Sequence, residues 1–254
     1  MTYNEASNIR RLIPRILETV PSSSILVVDD NSPDGTADVV RAFRANDARV
    51  DVLTRRTERG YGSATIAGLQ YGVRNGYDVI ATLDADFSHD PADLPRLIDP
   101  LTGADVSIGS RYVGGVRVLN WDVRRLLLSL AANSYLRILG GLKCVDCTSG
   151  FRAYRVNALR NVAFNRISST GYAFLPELLF GLRDCTIREV PICYTERRVG
   201  HSKMGKRVIF EAMIRPWMLL WRRLLSSPSR FGRNVPGVSS EQRQAAPTLG
   251  LTHR

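Results

Sequence analysis

The chain has 254 residues, of which 44% are hydrophobic and 23% are charged. This balance is typical of a soluble globular protein and excludes a disordered or fibrous chain. No stretch reaches the about 18 uncharged apolar residues that a membrane-spanning helix needs, and the N-terminal segment MTYNEASNIRR lacks the apolar core of a signal peptide. We therefore expect the protein to lie in the cytoplasm.

The net charge of +11 is concentrated in the last quarter of the chain. Residues 1–196 contain 23 Lys and Arg against 22 Asp and Glu, whereas residues 197–254 contain 12 against 2. Such asymmetry predicts a nucleic acid, an anionic membrane or a phosphorylated ligand at the C-terminal end. The alternative is a solvated basic tail without a partner.

Apolar patterning alternates between strand-like and helix-like segments over the first 110 residues. It predicts strands over residues 25–29, 50–54, 79–83 and 106–109, and helices over residues 36–45, 62–74 and 91–101. This rhythm predicts an α/β fold, in which helices cover both faces of a mostly parallel sheet.

The alternation changes after residue 111. The pattern predicts helices over residues 121–139, 173–183 and 206–225, a strand over 187–194, and loops over 147–154 and 200–205. The helix over 206–225 combines tryptophan with arginine and suits a membrane surface; the alternative is a helix packed on the rest of the chain. Residues 226–254 are rich in Ser, Pro, Gly, Gln and Arg, so we expect them to be disordered.

Carboxylates follow two of the predicted strands. Asp84 and Asp86 come just after the strand over 79–83, and their spacing predicts a site for Mg²⁺ or Mn²⁺ shared with substrate phosphates. Asp29 and Asp30 end the strand over 25–29 and are suited to accept hydrogen bonds from a nucleobase and ribose. Ligands of parallel sheets bind at the carboxyl ends of strands, so both pairs point to one crevice. The alternative for Asp84 and Asp86 is a pair of exposed loop acids.

Two further motifs carry residue types that are suited to phosphate binding or to metal and redox chemistry. Arg197, Ser202 and Lys203 surround a glycine in a loop that is suited to clamp a phosphate, unless it is an exposed basic turn. Cys144 and Cys147 form a C-x-x-C, which is compatible with zinc or redox chemistry. A structural zinc needs four ligands, so we favour buried, small apolar side chains for these two cysteines.

Seven strings of the sequence occur in the order known from one family. They are TYNE (2–5), VDDNSPDGT (28–36), DADFSHDP (84–91), GSRY (109–112), DCTSGFRAY (146–154), GYAFLPEL (171–178) and ERRVGHSKMG (196–205). Together they resemble the dolichol-phosphate (polyprenol-phosphate) mannose synthases, which are family 2 glycosyltransferases of GT-A fold. The resemblance covers residues 1 to about 210 and implies a catalytic domain over 1–205. The composition of the remaining residues predicts an amphipathic, membrane-surface helix over 206–225 and a disordered basic tail over 226–254.

The resemblance also implies roles for the residues that match these strings. The residues implied to bind the nucleotide sugar are Thr2, Tyr3, Glu5, Val28, Asp30, Asp84, Ala85 and Asp86. Those implied to hold Mg²⁺ or Mn²⁺ are Asp84, Asp86 and Ser88, with Asp86 as the direct ligand. Those implied to face the acceptor phosphate are Arg111, Arg125, Arg197, Ser202 and Lys203. The residues expected to carry catalysis are Asp86, Arg111, Arg197 and Lys203.

The implied reaction moves mannose from GDP-mannose to a polyprenyl phosphate with inversion at the anomeric carbon. A phosphate monoester is mostly a dianion at neutral pH and needs no general base. The resemblance further implies a peripheral protein on the inner face of the cell membrane and leaves open a membrane-embedded partner protein. A sister enzyme that uses UDP-glucose or another sugar nucleotide remains the alternative.

One departure from the family concerns the N-terminus. In the relatives a buried strand that ends in proline precedes the TYNE string, whereas Met1 takes the place of that proline here. We expect either a true start farther upstream or a nucleotide pocket that lacks one edge.

Two other classes of protein explain less of the sequence. The segment from Gly60 to Thr65 begins like the G-x-G-x-x-G motif of nicotinamide-binding enzymes but has Thr65 at the third glycine. A non-catalytic module that binds nucleic acid or membrane explains the basic C-terminal region but leaves both acidic strand ends without a role. We therefore expect an enzyme with no nucleic-acid partner.

Overall fold

The computed structural model describes residues 1–195, apart from residues 58, 168, 170 and 172, together with residues 217, 220 and 221. The strands are β1 (Ile25–Asp29), β2 (Val50–Thr54), β3 (Val79–Thr82), β4 (Val106–Ser110), β5 (Val118–Leu119), β6 (Arg152–Arg155), β7 (Ile187–Pro191) and β8 (Tyr194–Thr195). The helices are α1 (Ala6–Thr19), α2 (Thr36–Asn46), α3 (Tyr61–Arg74), α4 (Leu94–Ile98), α5 (Val123–Gly140), α6 (Val156–Arg160) and α7 (Phe174–Gly181). Short 3₁₀ turns cover Pro91–Asp93, Asp99–Thr102 and Phe164–Arg166.

The strands form one four-stranded sheet and two parallel pairs. The larger sheet has the order β3-β6-β4-β7, in which β4 and β7 are parallel and β6 runs antiparallel to both of its neighbours. The pairs β1–β2 and β5–β8 are parallel. The predicted α/β class is confirmed, with β6 as an antiparallel insertion among strands that otherwise run in one direction.

The strand β6 corrects the prediction of a loop over residues 147–154. Its sequence, RAYR, has no apolar run, so hydrophobic patterning does not reveal it. Arg152 is fully buried, and its guanidinium donates hydrogen bonds to the carbonyl oxygens of Ser149, Cys147 and Leu175 at 2.7–3.1 Å. Because these bonds satisfy the guanidinium, the strand can cross the interior despite its charge.

Hydrophobic cores lie on both faces of the larger sheet, as the prediction of helices on both faces requires. Tyr154 of β6 packs in one core with α3, α6 and α7. Its neighbour Ala153 packs in the other core with α1, α2 and α4. Successive residues of a strand point to opposite faces, so this one strand contributes to both cores.

The helix α1 lies in a segment for which the sequence analysis predicts no element. Ile9, Leu12, Ile13 and Ile16 are its buried residues and recur at helical spacing. It packs against α2 and the Pro91–Asp93 turn. The signal was present in the sequence, but Pro14 and four charged residues interrupt the helical segment.

Several predicted regions differ in detail or lie outside the described residues. The predicted strand over 187–194 is divided into β7 and β8. The basic loop over 200–205 and the tail over 226–254 lie outside the described residues, as does most of the predicted helix over 206–225. Within that last segment, residues 217, 220 and 221 are helical, and the side chains of Trp217 and Trp221 are exposed. Among the described residues, no helix is both long and apolar enough to cross a membrane.

Thr2 lies at the edge of β1 that β2 leaves open. Its N–H donates to the carbonyl of Val28, and its own carbonyl accepts the N–H of Asp30, so it forms a parallel bridge with Asp29. The expected strand before the TYNE string stays a prediction.

Candidate active site

The loop that follows β3 carries the first acidic pair. Asp84 and Asp86 are half-buried, and a side-chain oxygen of Asp86 accepts the backbone N–H of Ser88 at 3.0 Å. Phe87, which lies between Asp86 and Ser88 in the sequence, has a φ of 60°, which is rare for a bulky residue. Such backbone strain is concentrated at functional sites, where the surrounding structure holds it in place.

The residues of this loop fit a divalent metal. The hydroxyl of Ser88 is buried and has no hydrogen-bond partner among the described residues. Mg²⁺ typically takes one or two carboxylates and completes its shell with substrate phosphates and water. Asp84, Asp86 and this hydroxyl supply such a partial set, and no group of three or more His, Cys, Asp or Glu suited to a metal occurs in the described part of the chain. The neighbouring Ala85 is buried in the core.

The acidic end of β1 is held by protein groups. Asp30 is buried; one carboxylate oxygen accepts Nε of Arg55 at 2.7 Å and the other accepts the N–H of Gly60 at 2.8 Å. Asp29 accepts hydrogen bonds from Ser32 and from the hydroxyl of Thr2. Asp30 therefore anchors the start of α3, and its predicted contact with a nucleoside stays a prediction.

The acidic ends of β1 and β3 converge around the first residues. Burial lowers the pKa of the Met1 amino group, while four nearby carboxylates oppose this shift: Asp84, Asp30, Glu5 and Asp29. The ring of Tyr3 lies 5.3 Å from the guanidinium of Arg59, and Val28 is buried beneath this region. The structure thus brings together the two strand ends that the sequence analysis assigns to one crevice.

Arg111 follows β4 directly and is buried in an ion pair. Its Nε and Nη2 donate to the two carboxylate oxygens of Asp146, both at 2.7 Å, and Nη2 also reaches the hydroxyl of Thr148. Burial alone would raise the pKa of Asp146, but the hydrogen bonds and charge of Arg111 lower it. Burial likewise works against the charged form of Arg111, but Asp146 raises the pKa of Arg111. Both groups are therefore charged at neutral pH.

An aromatic cluster connects Arg111 to Arg125. The guanidinium carbon of Arg111 lies 5.5 Å from the ring of Trp121, and that of Arg125 lies 4.4 Å from the same ring. The indole N–H of Trp121 is buried and has no partner among the described residues. Arg125 is half-buried, whereas Arg124 is exposed. The structure therefore distinguishes the predicted Arg125 from its neighbour.

His89 and Tyr194 join the acidic and basic ends of the site. The ring of Tyr194 lies 5.5 Å from His89 and 5.6 Å from Trp121, and His89 stacks on Phe151. Burial lowers the pKa of His89 although Asp84 and Asp86 favour its charged form. Burial, followed by Asp86 and Asp84, raises the pKa of Tyr194. One continuous site thus runs from the metal-compatible loop to the two arginines.

Sequence reasoning assigned no role to four of these residues: His89, Trp121, Asp146 and Tyr194. Two of them, His89 and Asp146, lie inside the quoted strings, and this position was the available signal. Trp121 and Tyr194 lie outside the strings, and only the fold brings them to the site. The predicted residues Arg197, Ser202 and Lys203 lie outside the described residues.

Cys144 and Cys147 are buried with their sulfurs 3.5 Å apart, and all four cysteines are free. The interpretation of this pair as buried side chains agrees with their placement.

The sequence is similar to that of known glycosyltransferases. Residues 1–163 match the family described as Glycosyl transferase family 2. The chain is 43% identical over 215 residues to an undecaprenyl-phosphate mannosyltransferase of Micrococcus luteus, with 84% of this chain and 88% of that protein covered. It is 44% identical over 218 residues to a polyprenol monophosphomannose synthase of Mycolicibacterium smegmatis, with 84% and 82% covered.

Among solved structures, the fold is similar to that of a glucosyl-3-phosphoglycerate synthase from Mycobacterium tuberculosis. The structure of that enzyme with Mn²⁺, UDP-glucose and phosphoglyceric acid gives a TM-score of 0.59 at 20% identity, with 87% of this chain and 77% of that chain covered. Another structure of the same enzyme contains Mg²⁺ and UDP and also gives a TM-score of 0.59, with 85% and 77% covered. At this identity the likeness concerns the fold alone.

Proposed function

The chain belongs to glycosyl transferase family 2 and is a glycosyltransferase, and on this basis we propose that it transfers mannose from GDP-mannose to the phosphate of a polyprenyl lipid. The products are a polyprenyl phosphate β-mannose and GDP. The names of the Micrococcus and Mycolicibacterium relatives support both the sugar and the lipid class.

One observation carries the proposal: a metal-compatible acidic loop and a pair of arginines belong to the same site. Asp86 and Arg111 are linked through Tyr194, whose ring lies 5.6 Å from the Arg111 guanidinium carbon and whose pKa is raised by burial and by Asp86. A nucleotide sugar needs a site for its diphosphate, and a lipid phosphate needs cations. A site with both ends suits transfer between two phosphorylated substrates.

Asp84, Asp86 and Ser88 are the residues that would hold Mg²⁺ or Mn²⁺. When bound, such an ion neutralises the negative charge that develops on the departing diphosphate. The residues of the chain orient the donor so that its anomeric carbon faces the arginine side of the site.

The acceptor phosphate is already a nucleophile because its second pKa is about 6. Arg111 and Arg125 therefore act by holding it in line with the anomeric carbon, so that positioning and electrostatics supply the rate enhancement. A single in-line displacement inverts the anomeric centre and converts an α-linked donor into a β-linked product. Arg197, Ser202 and Lys203 complete the acceptor site in this proposal.

We further propose that the enzyme works as a peripheral protein on the inner face of the cell membrane. The lipid acceptor has to stay in the bilayer while the nucleotide sugar stays in water, so the site has to reach the interface. The exposed side chains of Trp217 and Trp221 and the basic C-terminal region support this location, since both suit a headgroup layer with anionic lipids.

A transfer assay tests the proposal. The full chain is incubated with a polyprenyl phosphate, Mn²⁺ or Mg²⁺, and labelled GDP-mannose, UDP-glucose or UDP-N-acetylglucosamine in parallel. We expect label in the lipid fraction only with GDP-mannose, loss of transfer with EDTA, and recovery when metal is added back. Transfer from UDP-glucose in place of GDP-mannose would refute the donor assignment, and transfer that persists in EDTA would refute the metal site.

A further inference from the structure

The side chain of Arg111 is held by the carboxylate of Asp146, which lies on a loop. Asp146 accepts both the side chain of Arg111, through two hydrogen bonds of 2.7 Å, and its backbone N–H at 3.0 Å. Asp146 is fully buried. With three bonds to one residue, Asp146 determines where the Arg111 guanidinium lies, and Nη1 of Arg111 makes no hydrogen bond with the described residues.

The loop that carries Asp146 is held in turn by Glu189 of β7. One carboxylate oxygen of Glu189 accepts the N–H of Val145 at 2.6 Å, and the other accepts the N–H of Asp146 at 2.9 Å. Glu189 pairs with Ile108 in the register of β4 and β7, and β4 leads directly into Arg111. The carboxylate therefore ties the loop to the same pair of strands that carries the arginine.

A second anchor fixes the other side of the loop. The side-chain oxygen of Asn133, in α5, accepts the N–H of Cys147 at 2.7 Å. Since α5 also carries Arg125, the loop is held between the elements that supply the two arginines. In metal sites, residues that hydrogen-bond to the metal ligands fix the orientation of those ligands, and mutating such residues lowers affinity or activity about 10- to 100-fold. Asp146 and the residues that hold its loop stand in the same relation to Arg111.

We infer that Asp146 and Glu189 are positioning residues for the acceptor phosphate: Glu189 sets the loop, the loop sets Asp146, and Asp146 sets Arg111. Neither carboxylate touches the phosphate, which it would repel. This inference rests on the proposed function, because it takes Arg111 as a ligand of the acceptor.

The test compares Glu189→Ala and Glu189→Gln with a matched control, Asp105→Ala. Asp105 is also half-buried and accepts a backbone N–H, that of Thr186 at 2.8 Å, but at the opposite end of β4 and β7. We expect Glu189→Ala to raise the acceptor KM by about 10- to 100-fold while the GDP-mannose KM changes little. Glu189→Gln keeps one acceptor oxygen and should be intermediate, whereas Asp105→Ala should leave both constants near those of the wild type.

A second readout follows Arg111 without relying on the reaction. The side-chain Nε–H of Arg111 donates to buried Asp146, so its NMR signal should exchange slowly with solvent; the Arg111→Lys variant assigns the signal by its loss. We expect Glu189→Ala to remove this protection and Asp105→Ala to retain it. If Glu189→Ala and Asp105→Ala change both KM values equally, or if Glu189→Ala leaves the Nε–H protected, the inference is wrong. If the wild type transfers no mannose but protection still depends on Glu189, the proposed function fails and the positioning of Arg111 by Glu189 stands.

Discussion

At the scale of single residues, Asp86 is a proposed metal ligand that lies next to a residue with a strained backbone conformation. Its carboxylate caps the N–H of Ser88 across Phe87, which has a left-handed φ of 60°. We predict that Asp86→Ala abolishes transfer and leaves the fold intact, because the side chain is in a strand-end loop and not in the core. Transfer assays and thermal unfolding check this.

The matched control for Asp86 is Asp99→Ala, which removes an exposed acid at the start of the 3₁₀ turn Asp99–Thr102. It should keep wild-type turnover. Near wild-type turnover of Asp86→Ala at saturating donor would show that Asp86 is not a metal ligand.

The neighbouring arginines of α5 allow a second prediction at the residue scale. Arg125 is half-buried, with its guanidinium 4.4 Å from the Trp121 ring, whereas Arg124 is exposed to solvent. We predict that Arg125→Ala raises the acceptor KM by about tenfold or more, since a charge-assisted hydrogen bond to a phosphate contributes roughly 1.5–3 kcal/mol. Arg124→Ala should change the acceptor KM much less. Equal effects of the two variants would argue against a specific role for Arg125.

The ion pair of Arg111 and Asp146 predicts how stability depends on pH. Burial favours the neutral form of Asp146, but Arg111 outweighs it, so the pKa of Asp146 is lower in the folded than in the unfolded protein. A lowered pKa contributes stability that is present above the unfolded pKa of about 3.9 and is lost as the pH falls through the folded pKa. Breaking one partner of a buried pair costs about 3–5 kcal/mol.

We therefore predict that Asp146→Asn lowers the free energy of unfolding by about 3–5 kcal/mol at pH 7. The difference from the wild type should shrink below about pH 4, where Asp146 takes up a proton in the unfolded chain. Urea unfolding at several pH values measures this. A difference that stays constant down to the acid-unfolding range would mean that the ionised form of Asp146 is not what stabilises the fold.

At the scale of elements, α5 has two faces with different roles. Its inner side carries Arg125 and the buried Asn133, while its outer side exposes Val123, Leu127, Leu128 and Ile138, each between 57% and 75%. An apolar stripe on the helix that carries Arg125, the proposed ligand of the acceptor phosphate, fits contact with the lipid phase, because burying a Leu side chain is worth about 1.5–3 kcal/mol.

We predict that the double substitution Leu127→Ser and Leu128→Ser lowers the affinity for anionic liposomes at least about tenfold. Flotation at several lipid concentrations measures this affinity. Both side chains are exposed, so the fold should be unchanged. Tyr77→Ser removes an exposed aromatic side chain two residues before β3 and serves as the control. Unchanged flotation of the double variant would exclude the outer face of α5 as a membrane contact.

The sequence predicted the elements whose hydrophobic pattern matches their final environment. Strands β1 and β2 and helices α2 and α3 lie within a residue or so of their predicted bounds, because each buries one continuous apolar face. β6 could not be predicted, since its pairing with β3 and β4 and the hydrogen bond from Arg152 to the carbonyl of Leu175, 23 residues away, form only when the chain folds. The dependence on tertiary packing also limits which residues of the candidate site could be predicted. Asp86 and Arg111 belong to sequence motifs, whereas Trp121 and Tyr194 reach the site only through tertiary packing.

At the scale of the whole molecule, the charge is distributed unevenly between the part that contains the candidate site and the C-terminal part that is proposed to bind the membrane. Residues 1–196, which contain the described part of the candidate active site, are close to neutral, whereas residues 197–254 carry a net charge of +10. Each basic residue near an anionic membrane contributes about 1 kcal/mol, and this attraction falls off within a Debye length of about 10 Å at 0.1 M salt. With this distribution, the basic C-terminal region is suited to bind an anionic membrane. The nearly neutral N-terminal part offers little net positive charge that would bind the anionic nucleotide sugar outside the candidate site.

The segment that binds the membrane is predicted to be residues 206–225, and two truncations test it. A chain that ends at residue 205 loses nine of the 12 basic residues of the C-terminal region together with Trp217 and Trp221, whereas a chain that ends at residue 225 loses only four basic residues. We expect the full chain to float with anionic liposomes at low salt and to dissociate as salt rises. The chain ending at 225 should retain most of this binding, and the chain ending at 205 should lose it while it still binds GDP. Equal binding by both truncated chains would place the membrane contact elsewhere, and loss of binding already in the longer one would assign it to the tail over 226–254.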